Sequence, residues 1–200
     1  MRLSITGAAG IGKTTLARAL AEHFRVPVLT EDFSGIVRTF NTPPPPGESG
    51  VSQWRAACRA ACCDWLRQRE TRYRANLGFV EDRCAIDILL RWLLENLSDT
   101  DNGETGRMIE ATRALVAMTD FVVIPPLLPM APGRNDDGLV RAGSLSRVYR
   151  AQSLVLGIAT QLVAPVRLIC LPDHLQSVGA RVDFVLTRIE GSGPGAEPRT

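Results

Sequence analysis

Gly7-Ala8-Ala9-Gly10-Ile11-Gly12-Lys13-Thr14 follows the spacing Gly-x4-Gly-Lys-Ser/Thr, and its residue types suit a bound polyphosphate. Gly7 and Gly12 allow backbone conformations that side chains forbid, so successive N–H groups can turn inward toward phosphate oxygens. Lys13 is expected to reach the β- and γ-phosphates and Thr14 to ligate magnesium, with the whole run from Gly7 to Thr15 as the binding segment. Of the 23 Lys and Arg residues, Lys13 is the one lysine, so every other cation that meets a phosphate must be an arginine.

Phosphoryl transfer also needs a carboxylate for the metal, a group that accepts the proton of the nucleophile, and cations that spread the transition-state charge. Asp82, after Phe79-Val80, is placed as a magnesium-anchoring carboxylate would be, holding the ion through its water shell. Asp32 or Glu31, at the end of a short apolar run, could take a hydroxyl proton, and the sequence leaves the choice between them open. Arg83 offers a planar fork to substrate or phosphate.

These residues need elements that bring them together. Residues 2–6 read as a buried strand, and Leu16, Leu20 and Phe24 recur at helical spacing, which puts the glycine-rich loop between strand and helix. Further strands are expected at 26–30, 78–80, 120–124, 166–171 and 182–187. Helices are expected at 33–40, 51–75, 85–97, 104–117, 144–162 and 173–180. Strands alternating with helices predict a mostly parallel sheet covered on both faces. The loop, Glu31-Asp32, Glu81-Asp82-Arg83 and the segment after Ile124 should then converge beyond the carboxyl ends of the strands. Pro43 to Pro46 interrupts regular structure as a stiff surface connection. The helix over 51–75 is rich in arginine, most of it expected on a solvated face, and residues 33–75 are the expected wall of an acceptor pocket.

The chain resembles the small P-loop ATPase/kinase domains grouped with the ribosylnicotinamide-kinase part of bacterial NAD-metabolism regulators. Four blocks carry the likeness: the phosphate loop; Thr30-Glu31-Asp32 with Arg38; Phe79-Val80-Glu81-Asp82-Arg83 with Asp87; and Asp136-Asp137-Gly138-Leu139-Val140-Arg141. The resemblance implies a P-loop NTPase three-layer α/β/α sandwich of nucleoside/nucleotide-kinase type. It implies ATP as donor, an acceptor-facing carboxylate at Glu31, a nucleotide-side Asp82-Arg83 pair, and an arginine-bearing lid with Asp137, Arg141 and Arg147. Glu81-Asp82-Arg83 is similar to the Glu-Arg-Ser motif of deoxynucleoside kinases, but Asp82 intervenes, which disfavours a deoxynucleoside substrate. A lid makes physical sense because water competes with the acceptor, and a Gly/Pro/Asp-rich loop followed by arginines, including Arg150, could close over the γ-phosphate.

Composition fits one domain over 1–190, with a lid at about 127–150 and a frayed tail at 191–200: the 200 residues are 45% hydrophobic and 22% charged. A net charge of +2, with arginines spread along the chain, disfavours nucleic acid. No apolar run is long enough for a membrane span, and the first residues pass straight into a strand, so a cytoplasmic location is expected. Cys58, Cys62 and Cys63 are spaced for helix packing rather than as metal knuckles, and Cys84 and Cys170 are expected to be buried. The leading expectation is an ATP- and magnesium-dependent kinase acting on a hydroxyl of a small polar metabolite, with nucleosides in the class. The alternative is a nucleotide-dependent regulatory ATPase acting on a protein partner. The expected partner is a small-molecule acceptor, with no membrane and with a homodimer left open.

Overall fold

The strands are short and mostly buried because both faces of the sheet carry helices. The computed structural model describes residues 1–30, 33–95, 97, 102–127 and 145–191. In chain order the elements are β1 (Arg2–Ile5), α1 (Lys13–Phe24), β2 (Val28–Leu29), α2 (Phe33–Asn41), α3 (Glu48–Ala75), β3 (Phe79–Asp82) and α4 (Ala85–Leu94). They continue with α5 (Asn102–Ala117), β4 (Phe121–Ile124), α6 (Leu145–Leu162), a 3-10 turn at Pro165–Arg167, β5 (Leu168–Cys170) and α7 (Val178–Glu190). The five strands form one sheet in the order β2-β3-β1-β4-β5, and each neighbouring pair is parallel.

Strand alternation sorts the core into layers. Leu3, Ile5, Val80, Val123 and Ile169 face α1 and α7, where they pack on Leu16, Leu20 and Val185. Phe79 turns the other way, onto α3 and α4 through Cys58, Cys62, Trp65 and Ile88. Val122 and Ile124 pack with Ile86, Val155 and Ala159 of α4 and α6. The expected three-layer α/β/α arrangement with a parallel sheet is what forms.

Three expectations are corrected. Residues 182–187 are not a sixth strand but part of α7. Val182, Val185 and Ile189 fall on one side at helical spacing and join the α1-side core, and Ser177 accepts a hydrogen bond from the Ala180 amide as the helix cap. The short helix expected at 173–180 is a turn leading into that same α7. Cys170 ends β5 and is exposed, because β5 is the edge of the sheet and that side is not covered. Most of the α3 arginines are expected on a solvated face; Arg69 is the exception, fully buried. Cys58 and Cys62 are buried, and burial pushes their thiols up to about 11 and about 12, so they serve as small apolar packing. Among the described residues no helix is long and apolar enough to cross a membrane.

Candidate active site

The loop between β1 and α1 takes the shape its glycines permit. Gly7 has φ 140°, and a Cβ there would lie 2.5 Å from the Ile11 side chain and 3.1 Å from the Gln152 amide oxygen. Gly12, at φ 86°, caps α1 in the left-handed region, so the amides at the start of the helix open onto the loop. Thr14 and Thr15 are exposed, whereas Lys13 is 5% exposed. The Lys13 ammonium donates to the carbonyls of Gly7 (2.8 Å) and Ala8 (2.5 Å), which holds it across the loop it would serve. Burial, followed by the positive charge of Arg83, lowers its pKa to about 8, against the raising influence of Asp87 and Asp82.

Asp82 reaches this loop from β3. The register pairs Ile5 with Asp82, so both strands deliver their last residues to the same end of the sheet. The Thr14 hydroxyl donates to Asp82 Oδ2 at 2.5 Å, while Asp82 Oδ1 is buried with no hydrogen-bond partner among the described residues. A hydroxyl oxygen beside a carboxylate with an unused buried oxygen fits magnesium, which is held by one or two carboxylates plus phosphates and water rather than by an all-protein cage. Among the described residues there is no larger His, Cys, Asp or Glu cluster suited to a metal.

Glu81 is one residue away and does the opposite job. Alternation turns it to the α3 face, where it is fully buried and accepts hydrogen bonds from the Ser4 hydroxyl (2.6 Å) and from the Tyr73 phenol. Arg69 Nε lies 2.7 Å from Glu81 Oε1, and its guanidinium stacks 4.5 Å from the Trp65 ring centre. Desolvation raises the Glu81 pKa to about 7, with Arg69 opposing it. Arg69 Nη2 also donates to the Arg83 carbonyl at 3.4 Å. Arg83 itself sits at φ 74°, left-handed backbone that is costly for a residue with a side chain. The turn after β3 is closed by Asp87, whose Oδ2 accepts from the Cys84 amide (2.9 Å) and the Thr6 hydroxyl (2.8 Å), with Arg83 Nη1 3.9 Å from its other oxygen.

Two long-range side chains absent from the sequence reading meet the loop and its surroundings. Gln152 of α6 is 4% exposed; its amide oxygen accepts from the Ala8 N–H at 2.8 Å and its Nε2 donates to the Pro125 carbonyl at 2.9 Å. Arg181 of α7 donates to the Ile11 carbonyl at 3.2 Å. Nothing in their spacing marks either one, because both contacts span more than a hundred residues.

The structure thus brings together Gly7 to Thr15, Asp82, Arg83 and the end of β4. Arg147 lies exposed in the first turn of α6; it and Arg83 are the like charges that, after burial, lower the pKa of Arg91 on α4. Glu31, Asp32, Asp137 and Arg141 lie outside the described residues, as does most of the expected lid. A cavity of about 450 Å³ between α3, α4 and α5 is lined by Cys63, Leu66, Trp92, Met108 and Leu115 among others, and by no residue of the phosphate loop.

Among solved structures the chain is similar to the NadR protein in complex with NR, at 17% identity and a TM-score of 0.59, over 99% of this chain and 53% of that one. It therefore spans about half the length of that protein. It is also similar to deoxyadenosine kinase from M. mycoides with the products dCMP and dCDP bound, at 14% identity and a TM-score of 0.58, covering 96% of this chain and 100% of that one. A third likeness is to the YorR protein of Bacillus subtilis in complex with phosphorylated GDP, at 10% identity and a TM-score of 0.55, covering 96% of each chain. At these identities the likeness is one of fold, a P-loop α/β/α sandwich. No curated protein matches the sequence. A family match over residues 2–151, which takes in the phosphate loop, Asp82, Arg83 and Arg147, settles the kinship: the chain belongs to the AAA_28 family of AAA domains.

Proposed function

We propose that the protein is an ATP- and magnesium-dependent phosphotransferase that moves the γ-phosphate to a hydroxyl of a small polar metabolite, with nucleosides in the class. The observation that carries the reading is the Thr14 hydroxyl bonded to Asp82 Oδ2 beside the buried Lys13 ammonium. An oxygen pair suited to a hard cation, one from α1 and one from β3, thus lies beside a phosphate-seeking charge, which supports this reading.

In this reading the amides from Gly7 to Thr15 and Lys13 hold the phosphate chain. Thr14 and Asp82 hold magnesium, which when bound neutralises phosphate charge and keeps the chain in one geometry. Glu31 or Asp32 accepts the proton of the acceptor hydroxyl as its oxygen bonds to the γ-phosphorus and the bond to the β-phosphate oxygen breaks, releasing ADP. Arg83, Arg141 and Arg147 offset the charge on the transferring group.

The test is incubation of the protein with magnesium, ATP and a metabolite pool, followed by mass analysis for new phosphorylated species. We expect a product, and in either Glu31→Gln or Asp32→Asn a loss of about a hundredfold or more with ADP binding retained. Full activity in both variants would remove these carboxylates from the base role. ATP hydrolysis without any phosphorylated product would favour a regulatory ATPase instead.

A further inference from the structure

Arg181 stands in the first turns of α7, and its side chain reaches the phosphate loop at Ile11 and Gly12. The residue is 3% exposed. Its Nε donates to the Leu175 carbonyl at 2.9 Å, and its Nη1 donates to the Ile11 carbonyl at 3.2 Å. A Cβ on Gly12 would lie 3.2 Å from Nη1, so the guanidinium sits directly against the turn that opens α1. The remaining nitrogen, Nη2, is buried with no hydrogen-bond partner among the described residues.

The charge is equally uncompensated. No carboxylate among the described residues pairs with Arg181, and burial alone accounts for the lowering of its pKa. Contrast Arg69, the other enclosed arginine among the described residues, which faces Glu81 at 2.7 Å. A desolvated cation without a counter-charge is expensive, and two carbonyl dipoles offset only part of that cost. Such a group is stable in a fold when a ligand supplies the missing anion, and the adjacent loop is built to receive one.

We propose that Arg181 is a ligand-contacting residue of the nucleotide site, its guanidinium supplying positive charge and its Nη2 a donor to the phosphate chain bound at the Gly7–Thr15 loop. This rests on the proposed nucleotide-dependent function. It assigns α7 a part in donor binding that neither the loop motif nor the family match over residues 2–151 includes. A bound phosphate chain would then tie α7 to α1 through one side chain, so nucleotide binding should stiffen the junction of the last helix with the loop.

The opposing account makes Arg181 a strut that pins α7 to Ile11, and the two accounts differ in sign. With the full chain, we would compare wild type, Arg181→Met and Arg181→Lys for their melting temperature with and without magnesium-ADP, and for ADP affinity by calorimetry. The expected result for Arg181→Met is a ligand-free melting temperature equal to or above that of wild type, because an unpaired buried charge is gone. Its ADP dissociation constant should rise by about tenfold to a hundredfold, the size of one charge-assisted hydrogen bond. Arg181→Lys, which keeps the charge, should recover part of that loss. A lowered ligand-free melting temperature with unchanged ADP affinity in the folded variants would overturn the proposal and establish the strut. Failure of wild type itself to bind ADP is a separate outcome, which would overturn the nucleotide site as a whole.

Discussion

The Lys13 ammonium donates to the Gly7 and Ala8 carbonyls, which keeps it at the loop where a phosphate chain would bind. With its pKa near 8, the amine begins to lose its proton just above neutrality. Only the charged form offers a full electrostatic contact, so bound phosphate holds the proton on and binding takes up a proton at alkaline pH. ADP affinity is therefore expected to fall as pH rises above about 8, by up to about tenfold per pH unit. In Lys13→Met that pH dependence should vanish, and affinity should drop by about tenfold or more at pH 7. Calorimetry across pH 7 to 9.5 checks both, and an unchanged slope in the variant would assign the titration to another group. Lys13 and Thr14 were legible in the sequence because a phosphate loop is a local motif, its residues adjacent in the chain. Arg181 and Gln152 were not, since each acts on the loop from a distant helix.

At the level of elements, β3 shows how a two-residue repeat divides labour. Asp82 points to α1 and the phosphate loop; Glu81 points to α3 and a buried group of Ser4, Tyr73 and Arg69. The sequence places both carboxylates at a strand end, but which one enters the site depends on which helix lies behind each face. The same dependence hid Arg69, one of many arginines on a long helix until α3 packs on the sheet. It also misled the reading of residues 182–187, where β-branched and aromatic residues suggest a strand that the Ser177 cap and the α1 contact turn into helix. Glu81 makes a test of this network possible. Its pKa rises on folding from the ordinary 4.5 to about 7, so between those values the folded protein binds a proton that the unfolded chain releases. Stability from this group is present at low pH and declines as pH rises through that window. Denaturant titrations at pH 5 and pH 7.5 should show a smaller decline in Glu81→Gln than in wild type. At pH 8, where the carboxylate is ionised, Arg69→Ala should cost about 3 kcal/mol or more by leaving a buried charge unpaired. If Glu81→Gln loses stability with pH as steeply as wild type, and Arg69→Ala costs nothing at pH 8, the network does not carry that charge.

Across the whole molecule, the parallel order β2-β3-β1-β4-β5 brings the carboxyl ends of β1, β3 and β4 to one edge, and the residues with chemistry to offer gather there. Helices from the second half of the chain also meet the loop there: α6 through Gln152 and α7 through Arg181. The loop is thus held by residues drawn from nearly the full length of the described chain, which makes its shape a property of the fold rather than of the motif. The strand–helix alternation gave away this architecture early, since periodicity and turn residues suffice for a parallel sheet. The acceptor did not show itself, because a pocket is a shape made by several elements and no local pattern encodes it. The central claim concerns where the γ-phosphate goes, and its most direct test follows that atom. ATP labelled at the γ-position is supplied with magnesium and a metabolite pool, and the label is partitioned between organic phosphate esters and inorganic phosphate. The account predicts that most of the label appears in an organic ester, and that Asp82→Asn removes this fraction. Label found only as inorganic phosphate, whatever the pool, would contradict it.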